Sequence, residues 1–490
     1  MKKGTWKKHH KWFGLLFCFF ILLFSLSGII LNHRTLVSQI DISRKYLPSL
    51  FEYKKWNNNF LRGTISLQKD TNTVFIYGSA GIFKSDKQAT FFKEFNKGFP
   101  QGVDNRNIQA MAETPSLELF AAAQFTLYKY DSNKGWIVAP NSPNERLTDI
   151  ITHQDSLILA TRSHLYVSLP PYQSFEKIEI QKPKGYNAKV TLFRTVWLLH
   201  SGELFGIVGK VFMDLLAVVL IILSVTGILY WCLPKYIKRL KQKGVKPQQS
   251  VRLLKGSLNW HNIIGRYTII LTLFVSFTGW CLRPPILIPL AKNKVSPLPG
   301  TILQSDNPWN DKLRAIRFDT HKKEWLLSTS EGFYSLKDLK STPQKLGKVP
   351  PVSVMGVNVL EKDSLNQWIV GSFSGLFTWN RDTEEIVDYF TGEIPSSTSG
   401  APFGKRAISG FSKDFKGKEC IVEYENGSNF AEMPNEFRVL PMSLWNVALE
   451  VHTGRIYTIL GSGTLVFISF AGLIVFWVLI SGYIVRKKKK

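Results

Sequence analysis

HNIIGRYTIILTLFVSFTG, residues 261–279, is an apolar run of membrane length with a histidine at its head and a Thr-Gly pair at its foot. The chain repeats it. His10 is followed by Gly14 and then by Ser27-Gly28, at the offsets that separate His261 from Gly265 and from Thr278-Gly279. A second pair of segments matches in its own way. HSGELFGIVG at 200–209 aligns with HTGRIYTILG at 452–461, and these runs also end in a small pair, Thr226-Gly227 and Ser481-Gly482. The sequence therefore reads as a duplicated unit with two histidine-headed membrane helices per copy.

Four runs reach the about 20 apolar residues that a bilayer crossing needs: Trp12–Leu31, Leu204–Leu233, Ile263–Leu282 and Ile456–Val485. The first resembles a secretory signal, but no small-x-small site follows it and its repeat lies at 263, so a retained helix is expected. The formal net charge is +26, and it is concentrated: five lysines in 1–11, eight Lys or Arg in 235–255 and five in 486–490, with no Asp or Glu among them. All three segments fall on one side of a four-crossing topology. The positive-inside rule then puts both termini and the middle loop in the cytoplasm, with a lipid bilayer rather than nucleic acid as the partner of the charge. The expected location is the bacterial inner (cytoplasmic) membrane. Four cysteines, with no Cys-x-x-Cys and no Cys-x-x-Cys-His, exclude a disulfide scaffold and covalent haem attachment.

Between the helices the texture changes to short strand-like runs with turn residues between them. Examples are 73–77 followed by Gly81, 157–160 followed by 165–167, 324–328 followed by Gly332, and 367–371 followed by Gly375. A weaker unit lies around Ala407–Glu432. Four short strands repeated at about forty residues is the pattern of β-propeller blades. The expected fold is a membrane α-helical bundle of four internally duplicated transmembrane helices, plus an extracytoplasmic all-β region. That region is read as one six-bladed β-propeller with three blades from each half, against two separate small β domains. The expected domains are 1–34 (basic head and first helix), 35–190 (β region, first half), 191–234 (second helix), 235–256 (basic loop), 257–283 (third helix), 284–445 (β region, second half) and 446–490 (fourth helix and basic tail).

Histidines repeated at membrane helix ends are functional candidates. In this topology His10 and His261 share the cytoplasmic level and His200 and His452 the outer level, one from each copy. Two facing imidazoles on separate helices are what a b-type haem needs as axial ligands, and a helix bundle is a usual place for one. Gly14, Gly265, Gly206, Gly209 and Gly461 would give a flat macrocycle clearance. His33 lies at the outer level as a further ligand or substrate contact. The plainer reading makes the histidines interfacial anchors and the small residues helix-packing sites. One spacing opposes two close haems: on a single helix, at about 1.5 Å per residue, His200 to Thr226 spans roughly 39 Å.

At these residues the chain resembles the PepSY-associated transmembrane family, which includes iron-regulated membrane proteins and ferric-siderophore reductases. The carrying segments are His10-Lys-Trp-Phe-Gly14 with Ser27-Gly28, Leu199-His200-Ser-Gly-Glu-Leu-Phe-Gly206 running to Lys235, Trp260-His261-Asn-Ile-Ile-Gly265 with Thr278-Gly279, and Val451-His452-Thr-Gly454. The resemblance implies haem-bearing helices that pass electrons outward to reduce iron in siderophores. The resulting expectation is an electron carrier with one or two b haems, no other metal, a quinol or protein donor, and a ferric-siderophore substrate. The rival is a non-enzymatic, membrane-anchored propeller that binds or senses a ligand. The sequence holds no nicotinamide or flavin motif, no His-Glu-x-x-His and no nucleophile elbow.

Overall fold

The computed structural model describes residues 2–353, 355–397, 400 and 404–486. The chain divides into two compact units, each discontinuous in sequence. One gathers Met1–Val37, Asn187–Ser305 and Trp445–Lys490; the other gathers Ser38–Tyr186 and Asp306–Leu444.

The helical unit contains α1 (Lys3–Asn32), α2 (Leu192–Ser201), α3 (Gly206–Gln242), α4 (Gln248–Tyr267), α5 (Ile269–Cys281), α6 (Leu444–Thr453) and α7 (Thr464–Arg486). Lys3–Asn32, Glu203–Gln242 and Val466–Val485 are each long and apolar enough to cross a membrane, and α4 with α5 qualifies as a fourth crossing bent by 71°. Three details differ from the sequence expectation. The third run is not one straight helix over Ile263–Leu282. It starts at Gln248 and breaks at Thr268, whose hydroxyl bonds back to the Ile264 carbonyl at 2.8 Å, a competition that bends helices. The basic stretch after Leu233, expected as a short and partly helical loop, has more helix than that, because α3 continues to Gln242 and α4 begins at Gln248. The fourth crossing begins at Thr464 rather than Ile456, because Gly461 takes non-helical angles inside a short turn over Thr458–Gly463. The last four residues of the basic tail, 487–490, lie outside the described residues.

The second unit is built of small antiparallel sheets. Five have four strands in sequence order, with first strands Gly63–Ser66, Ile108–Glu113, Leu147–His153, Leu313–Asp319 and Val359–Lys362; a sixth has Ile408–Ser412 paired with Cys420–Glu423. The second strands, such as Leu119–Ala123 and Trp368–Ser372, are buried along their whole length. That is why they read as continuous apolar runs: both of their faces meet neighbouring sheets. Each apolar cluster joins two consecutive sheets. Phe75, Ile82 and Ile108 sit between the first and second, and Phe120, Leu127 and Ile150 between the second and third. Ile158, Leu165 and Ile316 follow, then Leu326, Phe333 and Trp368, then Ile369, Leu376 and Ile408. The last cluster, with Val74, Phe83, Cys420 and Val422, packs the sixth sheet on the first. A two-stranded pairing of Asp41–Ile42 with Met442–Ser443 ties the beginning of the unit to its end.

One buried carboxylate stitches the fourth and fifth sheets. Asp319, its side chain 2% exposed, accepts from Lys362 Nζ at 2.7 Å, Arg381 at 2.7 Å and Trp368 Nε1 at 3.2 Å. Arg381 also bonds Glu324. Burial by itself would raise the Asp319 carboxyl, but donation from Lys362, the Lys322 amide, Trp368 and Arg381 outweighs it and holds the group at about 2. Asp319→Asn leaves two cations facing one another without their carboxylate, so it is expected to cost about 3 kcal/mol, measured as a lower melting temperature of the detergent-solubilised full chain. The unfolded carboxyl titrates near ~3.9. The stabilisation is therefore whole above that pH and is lost as pH falls through about 2. Equal melting temperatures for both proteins at neutral pH would refute the assignment.

Candidate functional site

The site lies in the helical unit, and it is four copies of one device. His10 on α1 places Nδ1 3.0 Å from the Val478 carbonyl and 3.4 Å from Ser481 Oγ on α7. His452 on α6 places Nδ1 3.0 Å from the Phe24 carbonyl and 3.1 Å from Ser27 Oγ on α1. His261 on α4 meets Thr226 Oγ1 on α3 at 2.9 Å, and His200 on α2 meets Thr278 Oγ1 on α5 at 3.1 Å. Each hydroxyl belongs to one of the small pairs seen in the sequence. The glycine beside it is the ring's seat. A Cβ at Gly28, Gly227, Gly279 or Gly482 would lie 3.4, 3.5, 2.8 or 2.7 Å from Cε1 of His452, His261, His200 or His10 respectively.

The hydrogen bonds fix the tautomer. A hydroxyl has one proton to donate. Ser27 gives its proton to the Leu23 carbonyl at 2.6 Å, Thr226 to Ile222 at 2.6 Å, Thr278 to Phe274 at 3.0 Å and Ser481 to Val478 at 2.9 Å. Each hydroxyl oxygen is then an acceptor toward its imidazole, as are the Val478 and Phe24 carbonyls. The Val478 and Phe24 carbonyls can only accept, so in His10 and His452 Nδ1 carries the ring proton and Nε2 the lone pair; His200 and His261 share that tautomer while Thr278 and Thr226 keep their own protons on Phe274 and Ile222. Burial, with the nearby Arg283 charge second, draws His200 down to about 4; burial, then His200 and Arg283, draws His452 to about 3. Both rings are neutral at neutral pH, which is the form that ligates metals.

The rings meet in the pairs expected from the duplication. The centroids of His10 and His261 are 6.1 Å apart, as are those of His200 and His452, with interplanar angles of 60° and 43°. A cavity of about 470 Å³ opens at the second pair, lined by His200, His452, Gly28, Gly279, Asp214 and Arg283 among mostly apolar side chains. The two pairs are separated along α1 by the seventeen residues from His10 to Ser27, a rise of ~26 Å.

His200 and His452 do not head the long helices. Each sits at the end of its own short helix, which Gly202 (φ +80) and Gly454 (φ +78) terminate in the left-handed region before the chain turns. The roughly 39 Å from His200 to Thr226 does not apply, because the two residues are on different helices, and the separation of the pairs stays at the ~26 Å rise along α1. Of the clearance glycines, Gly14 lies 3.9 Å from Val478 through an added Cβ, Gly206 and Gly461 have open space, and Gly209 abuts the Gly202 carbonyl of the preceding turn. His33 is not brought to the histidine pair: its Nε2 binds Asp214 Oδ2 at 2.8 Å, and Asn32 binds the other oxygen at 2.9 Å. What sequence reading missed is the role of Ser27, Thr226, Thr278 and Ser481 with their glycines. The signal was present, since a hydroxyl followed by glycine is kept at all four helix ends.

Among the described residues, no three His, Cys, Asp or Glu side chains gather to hold a bare metal ion. Two imidazoles alone suit a metal that brings its own equatorial ligands.

The profile of the PepSY-associated TM region family matches residues 1–234. No curated protein matches the sequence. Among solved structures the chain is similar to two extracellular domains of hybrid two-component systems from B. thetaiotaomicron. Both are 10% identical, with TM-scores of 0.36 and 0.33, covering 74% and 76% of this chain and 32% and 39% of theirs. The chain thus spans about a third of the length of those proteins.

The tautomers are directly measurable. Histidine nitrogen NMR on ¹⁵N-labelled protein is expected to show protonated Nδ1 and unprotonated Nε2 at His10, His200, His261 and His452; protonated Nε2 would overturn the network. The seats grade by distance. Gly279→Ala and Gly482→Ala are expected to displace their rings and cost about 1–3 kcal/mol, whereas Gly227→Ala, at ordinary contact distance, is expected to leave His261 and the melting temperature unchanged.

Proposed function

We propose that this chain, which over residues 1–234 belongs to the PepSY-associated TM region family, is a b-haem electron carrier of the bacterial inner membrane that reduces ferric iron or a ferric siderophore on the outer side. The observation that carries the reading is the pairing of the imidazoles, whose ring centroids stand 6.1 Å apart in both pairs. An imidazole nitrogen binds a first-row metal at about 2 Å, and the ring centre lies about 1 Å beyond the nitrogen. Two imidazoles on one iron therefore set their centroids roughly 6 Å apart, and both pairs stand at 6.1 Å. Metal-ligating histidines characteristically donate their other N–H to a carbonyl or hydroxyl that fixes the ring, which is what the Ser/Thr-Gly seats provide.

In this reading His10 with His261 hold one haem and His200 with His452 the other. Bound haem supplies one-electron chemistry. The chain supplies axial ligation and burial. It also supplies a fixed imidazole tautomer, so that ligation costs no ring rearrangement. The lysine-rich segments favour the His10/His261 pair as the cytoplasmic one, with both termini on that side. With haem bound, the His10/His261 pair would be the side that receives electrons from a quinol or protein donor, and the His200/His452 pair the side that faces the acceptor. Reduction loosens a hard-oxygen chelator's hold on iron, because the ferrous ion carries less charge. The β unit fits a six-bladed propeller, supported by six sheets joined by six apolar clusters with the sixth packed on the first. Such a unit is the platform on which an iron chelate would be held outside the membrane.

The purified protein is expected to show a Soret band and reduced b-type α bands, with two haems per chain by pyridine haemochrome. His200→Ala and His452→Ala are each expected to remove the same haem, and His10→Ala and His261→Ala the other. A colourless, folded preparation from haem-replete cells would sink the reading in favour of a binding or sensing protein.

A further inference from the structure

The cavity at the His200/His452 pair contains a charge that the haem ligands do not explain. Arg283 follows α5 and lines the cavity with both histidines. The one hydrogen bond of its guanidinium among the described residues is to the His452 carbonyl, at 3.2 Å. The other charged groups that line the cavity, Asp214 and Glu203, and the neighbouring Arg455 each have a side-chain partner in contact. Asp214 has His33 at 2.8 Å. Glu203 has Lys210 at 2.9 Å. Arg455 has Glu450, held by two hydrogen bonds of 2.7 and 2.6 Å. Arg283 has no carboxylate at ion-pair distance among the described residues.

A guanidinium in an apolar cavity without a counter-ion is costly, and a buried cation is normally found paired. Its planar fork of donors matches a carboxylate in a two-point contact. The surrounding wall is largely apolar, with Phe24, Leu220, Val275 and Trp280 among its members. The occupant that satisfies both features has a flat apolar body and a carboxylate at its edge.

Building on the haem reading above, we infer that Arg283 is the counter-ion for a propionate of the haem held by His200 and His452. It is a binding residue, and it acts through its charge as well as its contact. The cation lies beside the axial ligand His452 and favours the less positive, ferrous state of the iron, so it raises the reduction potential of that haem. The His10/His261 haem, about a bilayer core away, serves as an internal control.

The test uses the full chain, purified as wild type, Arg283→Gln and Arg283→Lys, with haem content, potentiometric titration and size-exclusion profile measured on each. In Arg283→Gln the haem assigned to His200/His452 is expected either to be lost or to titrate at a more negative potential. The other haem should be unchanged, and Arg283→Lys should move both readouts back toward wild type. Retention of the His10/His261 haem and a monodisperse profile exclude misfolding as the cause. Wild-type haem content and potential in Arg283→Gln would overturn the inference while leaving the haem reading intact. A wild type without haem would overturn the haem reading itself, and a lipid carboxylate recovered from such a preparation would identify the occupant as an amphiphile of another kind.

Discussion

The helical unit depends on one contact made four times: a histidine N–H given to a hydroxyl that has already used its own proton on its own helix. The order of donation matters. Because Ser27, Thr226, Thr278 and Ser481 bond back to carbonyls three or four residues earlier, their oxygens face outward as acceptors only. At His10 and His452 a carbonyl accepts as well, so only the tautomer with its proton on Nδ1 keeps both bonds. A seat of this kind couples helix packing to ring chemistry, since the glycine that lets the ring approach is the neighbour of the hydroxyl that orients it. It also crosses the duplication. α1 leans on α7 through His10 and receives His452 in return, while α4 leans on α3 and α5 receives His200.

Much of this was legible in the sequence because the copies can be laid over one another. The offsets from His10 to Ser27-Gly28 and from His261 to Thr278-Gly279 gave the pairing of the rings, and the long apolar runs gave the membrane-length helices. The short apolar runs between Gly81, Gly332 and Gly375 gave the sheets. Other features were hidden for physical reasons. His200 looked like the head of a long helix because the turn that separates it, Gly202 to Gly206, is only a few residues long and apolar on both sides. The break at Thr268 could not be seen in a run whose hydropathy never falters. Which nitrogen of each ring carries the proton depends on contacts between residues up to 471 positions apart, and no local pattern encodes that.

The two histidine pairs are alike in their rings and unlike in their surroundings. The His200/His452 pair sits with Arg283, Asp214 and a sizeable cavity, whereas the His10/His261 pair is flanked by aromatic contacts such as those of His9 with Phe13 and Trp477. Duplication supplied the imidazoles symmetrically, and the residues around them have since diverged. That difference gives the two pairs different electrostatic surroundings, one beside a cation and a carboxylate and the other beside aromatic rings.

The way the β unit is threaded has a consequence for how the protein is made. Its first three sheets precede two membrane passages, and its last three follow them. The sixth sheet, which packs on the first, emerges from the ribosome only after most of the chain has been synthesised. During that interval the first sheet has an uncovered apolar face, and such faces invite aggregation. Closure of the β unit is therefore the last event in its synthesis, and the order of the sheets along the chain sets how long that face waits for its cover.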